Sequence, residues 1–140
     1  MTTENKEIVQ AFFQGLNERD LDSAAQLVSD DYVNHGMPGM PGRAGMRAVT
    51  AMFLTSFPDM HVTLADIIGE GDRVATRGRW TGTQQGDFMG IPTTGRSVEV
   101  NFIDLWRIEN GVLVENRVQM DIMSLMQQLG VFPDPAAVVV

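Results

Sequence analysis

The spacing of apolar residues predicts that the first part of the chain is helical. Phe12 and Leu16 lie one helical turn apart within a run of such intervals, so their side chains share one helix face. Asp20 is the residue type that caps a helix N-terminus, and Pro58 is one that stops a helix. Three amphipathic helices are therefore predicted, over residues 4–17, 21–28 and 43–57.

The pattern changes after Pro58 to the alternation of apolar and polar residues that is typical of strands. A pair of strands is expected on either side of residues 69–72, and a longer pair is expected to turn at the Asn-Gly step of residues 110–111. A last helix is expected to begin near Ile122. Helices followed by antiparallel strands predict an α+β fold, in which three N-terminal helices pack on one face of a curved antiparallel sheet.

Length and charge limit the classes of function. A chain of 140 residues fits a single domain, and we assign residues 1–140 to it, with 131–140 as a C-terminal tail. The net charge of −8 argues against nucleic acid as a partner. No apolar run is long enough to cross a membrane, and the polar N-terminus does not resemble a signal peptide, so we expect a cytoplasmic protein.

Asp104 is the first candidate for chemistry because it interrupts an apolar strand. Phe102 and Trp106 lie two residues to either side and share its strand face. A carboxyl among aromatic rings has a raised pKa and suits general acid–base catalysis. The alternative is an ion pair between Asp104 and an arginine on a neighbouring strand, for which three partners are available: Arg77, Arg79 and Arg117.

Other polar residues offer weaker signals. Asp121 either caps the last helix or faces a pocket, and both roles are compatible. His35 could transfer a proton near neutral pH, but a histidine beside a glycine-rich loop is often only a surface residue. Two histidines without carboxylates at fixed spacing predict no metal site, and the absence of cysteine excludes thiolate ligands. The ten methionines suit either a core or a pocket for an apolar ligand.

Three blocks of sequence carry a family resemblance that extends over almost the whole chain. They are DDYVNH at 30–35, the block from FPDMHV to RSVEV at 57–100, and MDIMSLMQQLG at 120–130. With these blocks the chain resembles the SnoaL-like polyketide cyclase family, within the nuclear-transport-factor-2-like superfamily. The resemblance implies a cone-shaped α+β barrel around a deep pocket, and a homodimer. It also implies ring closure of a polyketide by intramolecular aldol condensation, without a metal or other cofactor.

The resemblance transfers to individual residues only in part. The position that carries the key acid in the cyclases is Val118 here, which cannot move a proton. The position of their pocket histidine is Asp104, and Asn34 matches a pocket asparagine. We therefore expect Asp104 to be the general base, helped by His35 and Asp121. The residues expected to contact the substrate are Tyr32, Asn34, Phe53, Trp80, Phe102, Trp106 and Val118.

Three functions remain open at this stage. The first is a cofactor-independent cyclase or isomerase that acts on an apolar carbonyl compound. The second is a protein of the same fold that binds an apolar small molecule without chemistry. The third is a related epoxide hydrolase, in which Asp104 would act together with Arg77 or Arg79.

Overall fold

The computed structural model of the chain describes residues 2–131, which form a five-stranded sheet and four helices. The predicted tail lies outside the described residues except for Val131. The helices are α1 Thr2–Asn17, α2 Leu21–Gln26, α3 Gly42–Ser56 and α4 Ile122–Leu129. The strands are β1 Val28–Asn34, β2 His61–Glu70, β3 Arg73–Thr83, β4 Ser97–Glu109 and β5 Val112–Met120.

The sheet has the strand order β1-β5-β4-β3-β2, and its long central ladders are antiparallel. The edge strand β1 pairs in parallel with β5, so the sheet is mixed and not antiparallel throughout as predicted. Register shifts interrupt β2–β3 between Leu64 and Asp66 and β4–β5 between Arg107 and Ile108. Such bulges increase twist and bend a strand, so they help this sheet to curve.

The helices α1 and α3 cover the concave face of the sheet, and the core lies between them. Inward residues alternate along β4, from Val98 to Ile108, with outward residues that face solvent. Two buried tryptophans form the centres of aromatic clusters: Trp106 packs on Phe12 and Phe13, and Trp80 packs on Phe57. These rings supply much of the apolar area that stabilises the sheet against the helices.

Several local predictions are confirmed, and the end of the second helix differs from the prediction. Asp20 caps α2 by accepting a hydrogen bond from the Ser23 amide, and the β4–β5 turn has positive φ at Asn110 and Gly111. The second helix is shorter than predicted, because Val28 already belongs to β1. The predicted α+β architecture of a curved sheet with three N-terminal helices is confirmed. Within residues 2–131, no helix combines the length and the apolar character that crossing a bilayer requires.

Candidate active site

A cavity of about 130 Å³ lies between the concave face of the sheet and helices α1 and α3. Its inner end consists of buried side chains, among them Phe12, Tyr32 and Trp106. Its outer end is lined by the exposed Arg19 and the half-buried Met60. The cavity is therefore apolar, closed at the sheet, and open where the end of α1 approaches the start of β2.

Asp104 is the buried carboxylate of this cavity, with only 3 % of its surface exposed. It lies in the middle of β4, where strand alternation turns its side chain to the concave face. The hydroxyl of Thr76, its partner across the β3–β4 ladder, lies 3.5 Å from Asp104 Oδ2 and accepts a hydrogen bond from Trp106 Nε1 at 3.2 Å. The other oxygen, Oδ1, has no hydrogen-bond partner within residues 2–131.

Burial controls the protonation of this carboxyl. Desolvation raises the pKa of Asp104 to about 7, and the interactions with Thr76 and Asn116 lower it only in part. At neutral pH the protonated and ionised forms therefore coexist. A group in that state can both accept and return a proton.

Tyr32 and Asn116 complete the polar part of the cavity wall. Both are buried, at 2 % and 6 % exposure, and the nearby amide of Asn116 lowers the pKa of both Tyr32 and Asp104, although Asn116 Oδ1 itself accepts no hydrogen bond within residues 2–131. Burial raises the pKa of Tyr32 well above its usual range, and the charge of Asp104 adds to the shift. The phenol therefore stays protonated and can donate a hydrogen bond at any physiological pH.

The alternative of an ion pair between Asp104 and an arginine is wrong. Arg77 Nε donates to Asp66 at 2.6 Å, and Arg79 Nε lies 2.9 Å from Glu99. Arg117 lies 3.9 Å from Glu115. The physical reason is alternation: these arginines are on the outer face of the sheet, whereas Asp104 is on the inner face. The arrangement that the epoxide hydrolase hypothesis requires is therefore not present around Asp104.

This geometry agrees with the comparison to known sequences. The family model described as "SnoaL-like polyketide cyclase" matches residues 6–129. The chain belongs to the SnoaL-like polyketide cyclase family. Among curated proteins, no match to this SnoaL-like chain is significant.

Solved structures of similar proteins extend the comparison. AclR from Streptomyces galilaeus, a candidate hydroxylase, is 30% identical, with a TM-score of 0.86 over 96% of this chain and 89% of that one. TsrD from Streptomyces laurentii is also 30% identical, with a TM-score of 0.86 over 93% and 97% of the two chains. IdmH from Streptomyces antibioticus, a candidate polyketide cyclase, is 33% identical, with a TM-score of 0.79 over 90% and 98%.

Some of the predicted substrate contacts lie together in the wall of the cavity of this SnoaL-like protein. Tyr32, Asn34, Phe53 and Trp106 line it beside Asp104. Asn34 Oδ1 accepts a hydrogen bond from the Gly36 amide at 2.9 Å, which fixes the side chain at the end of β1. Their roles toward a substrate stay predictions.

Three other predicted contacts do not line the cavity. Trp80 is buried in the neighbouring aromatic cluster, where its Nε1 lies 3.4 Å from Met120 Sδ. Phe102 is buried against Phe13. Val118 is half-buried and pairs with Asp104 across the β4–β5 ladder. Each has the expected inward orientation but is not among the residues that line the cavity.

His35, predicted to help in catalysis, does not line the cavity. Its Nε2 lies 3.0 Å from Glu115 Oε2, and the hydrogen bond from His35 lowers the pKa of Glu115, with further contributions from Arg107 and Arg117. Asn34 is the last residue of β1 and lines the cavity, whereas His35 lies in the turn that follows and its side chain contacts Glu115. The surface interpretation of His35 is the one the structure supports.

Asp121 likewise lies outside the cavity and caps α4. Its carboxylate accepts a hydrogen bond from the Ser124 amide at 3.0 Å, and its side chain is exposed. The capping interpretation is confirmed. The position at the end of β5 explains why a contribution to the cavity was also expected.

Asn116 and Thr76 are cavity-side residues that the sequence interpretation missed. Asn116 precedes Val118 by two positions, so it shares the strand face that was already expected to point inward. That signal was available in the sequence. Thr76 was not identifiable in this way, because its importance comes from the β3–β4 register that places it opposite Asp104. Within residues 2–131, no three His, Asp or Glu side chains are grouped as metal ligands would be.

Proposed function

We propose that the protein is a cofactor-independent enzyme that uses Asp104 as a general acid–base on a carbonyl-containing, largely apolar small molecule. The observation that carries this proposal is the position of Asp104: it is buried in the cavity wall, unpaired with any of the arginines expected as its partners, and free at one oxygen. The family supports a cyclase-like role, and the reaction class that fits is an aldol cyclisation or an isomerisation.

The proton transfer follows from the geometry of the carboxyl. Asp104 Oδ1 takes a proton from the carbon next to a carbonyl group, and the electron pair of the broken C–H bond moves onto the carbonyl oxygen as an enolate. In an isomerisation the proton returns to a different carbon. In an aldol closure the enolate carbon attacks a second carbonyl, and the resulting alkoxide takes the proton from Asp104. Either route leaves Asp104 ionised again.

Charge on the enolate oxygen requires a hydrogen-bond donor, and Tyr32 is suited to supply it. Its phenol lines the cavity and stays protonated, so it can donate without competing for the proton that Asp104 carries. Donors held in a water-poor site stabilise developing negative charge strongly. Asn34, on the same wall, is placed to orient the substrate.

The volume of the cavity bears on the substrate. About 130 Å³ is close to the roughly 150 Å³ of an engineered cavity that accepts benzene. One ring therefore fits in the enclosed part, and further parts of a larger molecule would extend toward Arg19 and Met60. The flexible side chains of Met40, Met46 and Met60 line this route and can adapt to such a molecule.

Exchange of deuterium from D₂O into simple ring ketones, followed by NMR, tests the proposal without knowledge of the natural substrate. 1-Indanone and 2-tetralone present acidic C–H groups beside a carbonyl. We expect the protein to accelerate the exchange and Asp104→Asn to slow it by about 10²–10⁴-fold. Asp66→Asn, which removes a carboxylate from the outer face, serves as the matched control and should leave exchange unchanged.

Equal exchange rates for Asp104→Asn and the native protein would contradict the assignment. A protein that binds these ketones but never accelerates exchange would instead favour the second candidate, a small-molecule binding protein. That candidate is supported by Val118, which leaves the usual acid position of the family without a carboxylate, and by the methionines of the wall. The homodimer and the cytoplasmic location stay predictions, and light scattering after size-exclusion chromatography would test the first.

A further inference from the structure

Two hydrogen-bond acceptors in the wall of the cavity are left without donors. They are Asp104 Oδ1 and Asn116 Oδ1, both buried and both without a partner within residues 2–131. Leaving such a group unsatisfied costs more than an average hydrogen bond contributes, so buried acceptors of this kind are rare. Both side chains line the same cavity.

The surroundings of these oxygens favour an aromatic or otherwise planar ring. Phe12, Phe13, Phe53 and Trp106 all line the cavity. The guanidinium of Arg19 is at the opposite, open end, where it donates to the backbone carbonyls of Leu16, Asn17, Pro58 and Met60. The inner end thus combines apolar walls with two acceptors and no cationic side chain among its lining residues.

We propose that the ligand of this cavity ends in a six-membered ring that carries a phenolic or enolic hydroxyl, and that this hydroxyl donates its single proton to the unpartnered Oδ1 of Asp104. A ligand whose terminal ring offers only a carbonyl would leave Asp104 Oδ1 unsatisfied. A purely apolar ring would do the same. The polarity of the site therefore selects a ligand that carries a hydrogen-bond donor. The shape and volume of the cavity alone would not make this selection.

The inference rests on the proposed function only in placing the ligand in the same cavity. For an enolic ligand, the first step is transfer of the hydroxyl proton in place of the carbon-bound proton. When the enolic O–H bond breaks, its proton moves to Asp104 Oδ1, and the electron pair delocalises from oxygen onto the adjacent ring carbon. The result is the enolate that an aldol closure or an isomerisation needs.

Binding of three matched small rings tests the proposal. Phenol offers a donor, toluene offers neither donor nor acceptor at the same size, and acetophenone offers an acceptor only. Isothermal titration calorimetry near pH 8, where Asp104 is mainly ionised, should give a dissociation constant for phenol at least about tenfold below those of toluene and acetophenone.

Substitution of Asp104 tests whether this residue causes the preference for phenol over toluene. Asp104→Asn should reduce the preference for phenol over toluene severalfold, whereas Asp66→Asn on the outer face should preserve it. Should Asp104→Asn fail to fold, the three ligands still decide the matter on the native protein.

Tighter binding of acetophenone than of phenol would overturn the proposal, since it would mean that the inner end acts as a donor through a protonated carboxyl. Equal binding of phenol and toluene would overturn it as well, and so would the absence of binding by all three rings. The deuterium exchange experiment is independent of these results. Selective binding of phenol without acceleration of deuterium exchange would support the hydroxyl-binding site. It would refute only the proposed enzymatic activity.

Discussion

Asp104 on β4 and Val118 on β5 are directly opposite each other in the antiparallel ladder. Opposite residues of such a ladder have Cβ atoms about 4.5–5.5 Å apart. The position that the family resemblance assigns to the key acid is thus adjacent to the carboxylate that this chain possesses. Compared with the position expected from the family, the carboxylate of this chain lies on the neighbouring strand. Its side chain still points to the inner face of the sheet.

Placing a second carboxylate at position 118 should perturb Asp104 strongly. In Val118→Asp, two carboxylates about 5 Å apart repel each other, which raises the pKa of Asp104 above its value of about 7 by about one to two pH units. Carbon-13 NMR of the Asp104 carboxyl, identified by its loss in Asp104→Asn, would measure the shift. Val118→Asn is the matched control, and identical titration curves in both variants would refute the repulsion.

The stability of the protein should fall as pH rises through the range in which Asp104 ionises. An exposed aspartate has a pKa of about 3.9, whereas burial raises that of Asp104 to about 7. Between these values the folded state binds more protons than the unfolded state, so the free energy of unfolding decreases with increasing pH. The loss from this group alone should reach about 4 kcal/mol above pH 7 and vanish below about pH 4.

Urea unfolding of the native protein and of Asp104→Asn between about pH 4 and pH 8 would measure this effect. The variant should gain stability relative to the native protein as pH rises, because its neutral amide needs no ionisation. Asp66→Asn should show no such gain. A stability difference between Asp104→Asn and the native protein that is the same at both ends of the range would mean that Asp104 has an ordinary pKa.

Substitution of Asp121 should lower the stability of the protein and leave the rate of proton transfer unchanged. Asp121→Ala removes the hydrogen bond to the Ser124 amide and should lower the free energy of unfolding by about 0.5–2 kcal/mol. Asp121→Ser keeps a capping oxygen and should restore most of that loss. Deuterium exchange into ring ketones should be within twofold of native in both variants, and a hundredfold loss in either would reinstate Asp121 as a catalytic residue.

The architecture could be predicted from the sequence because it depends on local signals that agree with each other. The Asn110–Gly111 turn, the Asp20 cap and the stop at Pro58 each act within a few residues. The candidate site depends on how neighbouring strands pair and in which register. Local sequence patterns do not contain that information. The contact between Thr76 and Asp104, for example, follows only from the register of β3 and β4, which places the two residues opposite each other.

The bulge in β5 is the clearest example of this limit. One step along β4, from Arg107 to Ile108, corresponds to two steps along β5, so Leu113 and Asn116 both face inward although their numbers differ in parity. An alternation counted from the Asn110–Gly111 turn would therefore place Asn116 outward. Counting back from Val118 gives the correct face.

Enlarging the cavity at Met46 should change which ring systems it accepts. Met46 is buried at 5 % exposure and lines the cavity, so Met46→Ala adds space at the cost of about 2–5 kcal/mol in stability. We expect 2-naphthol to gain affinity relative to phenol by about tenfold, because a second ring then fits without displacing a side chain. Met89→Ala, which truncates a methionine that is 62% exposed, is the control and should change neither affinity. An unaltered ratio of the two affinities in Met46→Ala would show that this methionine does not limit the size of the ligand.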